Sequence, residues 1–469
     1  MVDPDRKPHA VLIPMPFQGH IFPAVQLAIK LASKGFTITF VNTEATNYQI
    51  SQAHHSPINH DIFSDARASG LDIRYELISD GLPTSYDRSR NDEQLWYAYL
   101  YLFSTHVEAL MQKLLLTSPP VTCLIADTFF VWPSTMAKKL GLTYVSFWTE
   151  PATVFTLFYH MDLLIAHGHH ACQENRKDTI TYIPGVPAIE PTDLMSYLQL
   201  DIPPMPRQML FKAMEETKGA DFVLCNTAEE LELETISALQ REKPFYAVGP
   251  IFPVDFTRST VAATLWTESD CSQWLDSKPA GSVLYISFGS YANVSKRDLE
   301  EIAYGILDSK ANFLWAIRRD IVSTDEPEPL PKEFLEECDE RGIVVPWCCQ
   351  REVLSHPSIG GFLTHCGWNS VLESIWCAVP LLCFPLISDQ LTNRKLVVQD
   401  WKIGTEIGGL GIVSRNEVSE KIESLMGGEI GDQARKEIKE LKKALETALS
   451  PDGSSPKNFD QFIEDLIRQ

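Results

Sequence analysis

The sequence contains no apolar run approaching the ~20 residues needed to span a bilayer. Its opening stretch, Met1 to His9, is polar and lacks the apolar centre of a signal peptide, so the cytosol is the expected compartment. Positive charge is scarce: 40 Lys and Arg stand against 62 Asp and Glu, a net charge of −22. That balance argues against nucleic acid or an anionic membrane surface as a partner held by bulk electrostatics. An anionic ligand would have to be held by local dipoles and a few donors. The ten cysteines form no Cys-x-x-Cys pair with zinc spacing. Several of them (Cys123, Cys225, Cys383) sit in apolar runs where a thiol acts as a small hydrophobe. Reduced thiols fit the cytosol. The one Asp-x-Asp, Asp3-Pro-Asp5, lies in the N-terminal tail rather than at a strand end, so no metal is expected at a phosphate site. His167, His169, His170 and Cys172 crowd together without a second ligand pair, and the stretch reads as an exposed loop.

At 469 residues the chain exceeds one typical domain and fits two of about 200 residues or a little more. Hydrophobic residues are 44% and charged residues 22%, ordinary for a globular protein. Residues 9–14 read as a buried strand. A loop over 15–20 follows, then a helix from about Pro23 to Lys34 closed by Gly35, then a strand over 36–41. Such a βαβ unit predicts a parallel sheet. Further strands are expected at 121–126, 143–147 and 221–225. The periodicity stops after Pro250 and resumes with strands at 282–288, 313–317, 343–347, 361–364 and 381–384. The fold class is therefore α/β, two doubly wound, Rossmann-like domains facing each other across a cleft, with ligands at the carboxyl ends of both sheets. Expected boundaries are 1–248 for the first domain, 249–270 for a linker, 271–450 for the second domain and 451–469 for a closing helix. No Gly-x-Gly-x-x-Gly follows the first strand of either domain, which disfavours a dinucleotide oxidoreductase.

The densest chemical signal runs from Trp347 to Gln390. Phe362 to Ser370 (FLTHCGWNS) reads as a short strand, a turn containing Gly367 and a helix starting near Asn369. Backbone N–H groups and the positive helix end would face an anion at that turn. Asn369 and Ser370 suit an N-cap, and His365 at the strand end can donate to a phosphate oxygen. Glu373 can accept from a ribose diol, and Trp347 offers a flat face to a base. Together these parts describe a nucleoside diphosphate site. In the other half, His20 follows the first strand and Asp127 follows the strand 121–126. Both therefore open on one crevice, where a carboxylate can orient a histidine general base.

The window from Trp347 to Gln390 resembles the signature box of the plant family 1 UDP-sugar-dependent glycosyltransferases, matched in register over its whole length. One departure is that Trp347-Cys348-Cys349-Gln350 stands where the box usually opens Trp-Ala-Pro-Gln; the lost proline loosens a pre-set turn. The resemblance covers nearly the whole chain and implies the GT-B architecture, with the final helix returning to the N-terminal domain. It also implies roles: Trp347 stacks on uracil, Gln350 and Glu373 bind uridine, and His365, Asn369 and Ser370 take the diphosphate. Trp368, Asp389 and Gln390 hold sugar hydroxyls. Cys348 and Gly367 belong to the same box, and Ser290 begins a loop facing the diphosphate. His20 and Asp127 match the family's catalytic pair, and Thr149 matches a position that touches the sugar. The family builds its acceptor pocket from the N-terminal half, where Phe17, Trp96, Phe129 and Trp148, with Tyr97, Phe103 and Phe130, form an aromatic-rich set. The implied activity is inverting transfer of glucose from UDP-glucose, a cosubstrate used without other cofactors, to a hydroxyl of a small apolar acceptor such as a flavonoid, another phenolic, a terpenoid or a hormone. The partners are then the UDP-sugar and the acceptor, with no nucleic acid and no membrane span, and a monomer is expected. C-glycosylation of a phenolic ring, and a catalytically silent UDP-sugar-binding protein on the same fold, stand as alternatives.

Overall fold

Strands such as HAVLI at 9–13 and VLYIS at 283–287 are buried along their whole length. They need cover on both faces, which parallel sheets flanked by helices supply. In a computed structural model the described residues are 7–57, 61–88, 92–172, 176–199, 203–258, 261–322, 329–338, 341–408 and 411–469, which leaves Asp3 and Asp5 outside them. The chain divides into two units: Met1–Pro191, Tyr197–Trp266 and Thr447–Gln469 in the first, Thr192–Ser196 and Thr267–Glu446 in the second.

The first unit holds β1 (His9–Ile13), β2 (Thr37–Thr43), β3 (Ile73–Ile78), β4 (Cys123–Asp127), β5 (Thr143–Trp148), β6 (Phe222–Cys225) and β7 (Phe245–Ala247). Their order is β3-β2-β1-β4-β5-β6-β7, with every pairing parallel. The second unit holds β8 (Val283–Ser287), β9 (Asn312–Ala316), β10 (Gly342–Val345), β11 (Ile359–Thr364), β12 (Leu381–Cys383) and β13 (Gly404–Glu406). Their order is β10-β9-β8-β11-β12-β13, again all parallel. Strand order reverses between β1 and β4 in one sheet and between β8 and β11 in the other. At such a switch point the loops leave in opposite directions and open a crevice at the carboxyl ends. His20 follows β1 and Asp127 ends β4; Ser290 follows β8 and His365 follows β11.

Several expectations shift. The first helix spans Gln18–Ser33, so Pro23 lies inside it and His20 sits in its first turn rather than in a loop. The stretch expected as a linker packs into the first unit: Ile251, Val261 and Ala263 join its core, and the Leu265 N–H donates to Gln18 Oε1 at 2.8 Å. The closing helix, Ser454–Arg468, buries Phe459, Phe462 and Leu466 in that same core. Strand β3 escaped the sequence reading because it is half-exposed with Arg74 and Glu76 along it, and β13 because it has three residues. The histidine-rich stretch is not wholly exposed. His169 is buried, with its ring nitrogens on Tyr182 Oη at 2.8 Å and Asp178 Oδ2 at 3.1 Å. No helix among the described residues is long and apolar enough to cross a membrane.

Candidate active site

In the first unit the switch-point crevice carries three polar side chains in contact. His20 Nδ1 lies 2.7 Å from Asp127 Oδ2 and 3.0 Å from Thr149 Oγ1. An ionised carboxylate only accepts, so the short contact puts the proton on Nδ1 and leaves the lone pair on Nε2. Asp127 is buried and cannot swing, because its Oδ1 takes the Phe129 N–H at 3.1 Å. Thr149 follows β5 directly and is also buried, so it braces the same imidazole nitrogen rather than standing apart from the pair. The segment after Thr149 is anchored by Glu232, a buried carboxylate that takes the Ala152 N–H at 3.0 Å, the Thr153 N–H at 2.7 Å and the Thr227 hydroxyl at 2.6 Å.

Around this pair stand half-buried aromatic rings. Phe17 lies 6.1 Å and Phe129 5.8 Å from the His20 ring, and Trp96 lies 6.2 Å from Phe17. Other expected acceptor residues behave differently. Trp148 is fully buried, spends its indole N–H on the Pro151 carbonyl at 2.9 Å and backs Phe129 from behind. Phe103 and Phe130 stack on each other in the core, and Tyr97 faces outward against Tyr101. Aromatic identity alone does not separate a ring that lines a crevice from one that supports it.

In the second unit the helix after the box turn spans Trp368–Cys377, and its N-cap is Gly367, not Asn369 or Ser370. The first helical bond runs from the Val371 N–H to the Gly367 carbonyl at 3.1 Å. Trp368, Asn369 and Ser370 therefore occupy the first three helical positions, whose amides form the positive end. Glycine is required on both sides of His365. A Cβ would meet its Nε2 at 2.6 Å from Gly367 and at 2.4 Å from Gly289, which also holds φ +73°. Burial first, and Arg318 second, push the His365 pKa down to about 4, so the ring is held in its neutral form. Ser290 follows Gly289 at this same strand end.

The residues expected at the nucleoside are already joined to one another. Gln350 Nε2 donates to Glu373 Oε2 at 2.8 Å and to Ser370 Oγ at 3.0 Å. Burial raises the Glu373 pKa, while Arg351, at 3.7 Å, opposes that shift. Trp347 is half-buried beyond the end of β10, in a loop held by the Ser269 N–H on its carbonyl at 2.9 Å. Cys348 does not present its side chain to a ligand. The thiol is buried, 3.6 Å from Tyr285 Oη, and the adjacent Cys271 thiol raises its pKa well above normal. Cys349, which stands where the box usually has its proline, is half-buried.

Of the residues expected at the sugar, Trp368 is buried beside Trp401. Gln390 Oε1 takes the N–H groups of Leu386 at 2.8 Å and Ile387 at 3.0 Å. Its carboxamide therefore has only N–H donors left to offer a ligand. Asp389 is buried, and its Oδ2 takes Asn393 Nδ2 at 2.6 Å. Arg351, Tyr285 and Asn393 are site neighbours that the sequence reading missed. Asn393 was detectable, since it lies one helical turn after Asp389.

Residues 243–436 match a family model described as UDP-glucoronosyl and UDP-glucosyl transferase. The chain is 53% identical to UDP-glycosyltransferase 86A1 of Arabidopsis thaliana over 98% of its own length and 95% of the relative's. It is 36% identical to a 7-deoxyloganetin glucosyltransferase of Catharanthus roseus, covering 99% of this chain and 97% of that one. Among solved structures, Phytolacca americana UGT2 complexed with UDP-2fluoro-glucose and pterostilbene aligns with a TM-score of 0.79 at 27% identity, covering 98% and 99% of the two chains. Two parallel-sheet, Rossmann-like domains with this box define the GT-B class of UDP-sugar-dependent transferase. The chain belongs to the plant family 1 UDP-glycosyltransferases.

Proposed function

We propose that this enzyme is an inverting glucosyltransferase that moves glucose from UDP-glucose to a hydroxyl of a small, flat, apolar acceptor. The observation that carries the reading is the 2.7 Å contact between His20 Nδ1 and Asp127 Oδ2 at the switch point of the first sheet. His20 Nε2 takes the proton of the acceptor hydroxyl as its oxygen attacks the anomeric carbon, and Asp127 stabilises the imidazolium that forms. One displacement without an enzyme nucleophile inverts the configuration, giving a β-glucoside from an α-linked donor. The leaving UDP collects negative charge at the helix start, where the amides of 368–370, the Ser370 hydroxyl, Ser290 and neutral His365 supply dipoles and donors. Glu373 accepts from the ribose, Trp347 stacks on the base, and Asp389 with the Gln390 amide reads the sugar. Phe17, Trp96 and Phe129 supply the apolar face for the acceptor. All ten cysteines stand as free thiols, which fits a reducing, cytosolic compartment.

The test is incubation of the pure protein with UDP-glucose and a panel of phenols and terpenoid alcohols, read by mass spectrometry and by anomeric coupling in NMR. A β-glucoside supports the reading. No transfer to any acceptor, or an α-linked product, refutes it.

A further inference from the structure

The loop that carries Asp389 and Gln390 is held in an unusual backbone form by groups outside the Trp347–Gln390 box. Ser388 adopts φ +60°, a left-handed conformation that costs free energy for any residue but glycine and must be held by its surroundings. Two reciprocal bonds hold it: the Ser388 N–H donates to Ser196 Oγ at 2.8 Å, and the Ser196 N–H donates to the Ser388 carbonyl at 3.0 Å. Ser196 belongs to the short segment Thr192–Ser196, which the chain contributes to the second unit from far upstream. That segment is fastened to the same helix as the loop. Thr392 Oγ1 donates to the Asp193 carbonyl at 2.7 Å, and Arg394 donates to Asp193 Oδ1 at 2.6 Å while also pairing with Glu406.

A second tie reaches inward. Asn393 is fully buried, and its Nδ2 donates both to Asp389 Oδ2 at 2.6 Å and to the Cys366 carbonyl at 2.8 Å. Both partners are acceptors, so the amide nitrogen is identified by them. Cys366 is itself left-handed, at φ +66°, in the turn that leads to the diphosphate-facing helix. One side chain thus joins the turn at the diphosphate end to the carboxylate at the sugar end.

We propose that Ser196 and Asn393 are positioning residues for donor-sugar recognition. Together they preset Asp389 and the Gln390 amide at fixed distance from the diphosphate turn, so that the sugar meets its partners without ordering the loop first. Preorganisation of this kind acts on groups that engage the hexose and leaves the nucleoside contacts at Trp347 and Glu373 alone. The proposal rests on the assignment of Asp389 and Gln390 to the sugar.

The experiment compares the wild type with Ser196→Ala, Ser196→Thr and Asn393→Ala. It measures UDP affinity by calorimetry and the kcat and KM for UDP-glucose and UDP-galactose with one acceptor. Loss of one hydrogen bond at Ser196→Ala should lower kcat/KM for UDP-glucose on the order of tenfold, and the two-bond loss at Asn393→Ala on the order of a hundredfold. At Ser196→Ala, which touches no group at the diphosphate turn, UDP affinity should stay within about twofold, whereas Asn393→Ala also frees the Cys366 carbonyl and should weaken UDP as well. The preference for glucose over galactose should shrink, and Ser196→Thr, which keeps the hydroxyl, should restore it. A parallel fall in UDP affinity at Ser196→Ala would show a merely structural role and overturn the proposal, as would unchanged donor kinetics. Should Asn393→Ala fail to fold, the half-buried Ser196 variants decide the question alone. Absence of hexose transfer by the unmutated protein would instead overturn the functional reading.

Discussion

Replacing Asp127 by Asn changes which nitrogen of His20 carries its proton while leaving the shape of the crevice intact. The Asp127 side chain is oriented by the Phe129 N–H on Oδ1 at 3.1 Å. An asparagine there keeps that bond only by turning its carbonyl oxygen to Phe129 and its amide nitrogen to His20. A donor then faces Nδ1 at the 2.7 Å position now filled by an acceptor. The imidazole responds by moving its proton to Nε2, and the Thr149 hydroxyl, 3.0 Å from Nδ1, favours the same tautomer by donating. Nε2 no longer has a lone pair for the acceptor hydroxyl. Loss of a general base lowers kcat by about 10²–10⁴, or about 3–5 kcal/mol of barrier. The assay is steady-state transfer from UDP-glucose to phenols of graded acidity, with UDP binding measured on the same sample. UDP affinity should not change, and the most acidic phenols should lose least. A kcat within tenfold of wild type on a weakly acidic acceptor would refute the tautomer argument.

Glu373→Ala removes a buried carboxylate expected to accept from both ribose hydroxyls. Charged hydrogen bonds of about 1.5–3 kcal/mol predict UDP binding weaker by on the order of 10²-fold in calorimetry, and an unchanged Kd would remove Glu373 from the site. His365 titrates at 6.5 when unfolded and at about 4 in the folded enzyme, so the unfolded chain binds the proton first as pH falls. Its contribution is therefore fully present above pH 6.5 and is lost towards pH 4, by up to about 3 kcal/mol. Denaturation curves of His365→Gln should show a shallower acid loss than wild type over that window, and identical slopes would contradict the cause assigned to the shift. UDP-glucose should be preferred over UDP-galactose by about tenfold or more, because an epimer leaves buried polar groups at Asp389 and Gln390 unpaired. Equal kcat/KM for the two donors would show that these residues do not read the sugar.

Much of this was legible in the sequence because the informative residues lie where chain geometry restricts them. A strand that ends in Asp127, or in Thr364 before His365 and Gly367, announces its own carboxyl end, and parallel strands put such ends together. What stayed hidden depended on tertiary contact. Pro23 marks a first turn when read locally, yet the helix begins at Gln18 because the loop after β1 is shorter than composition suggested. Gly367 is the cap because the packed His365 ring leaves no room there for a Cβ. Trp148 and Phe129 are one residue type apart and nearly adjacent in space, but only Phe129 is partly open. The bonds from Ser196 to Ser388 span most of two hundred positions, and no local pattern signals them.

The central claim is that His20 is the base in a transfer whose donor site is built independently of it. The most direct test is His20→Ala, assayed for turnover of UDP-glucose with an ordinary alcohol acceptor while UDP-glucose binding is measured on the same preparation. The account predicts a fall in transfer of at least ~10² with donor affinity preserved. Near-wild-type turnover, or a loss explained entirely by lost donor binding, would contradict it.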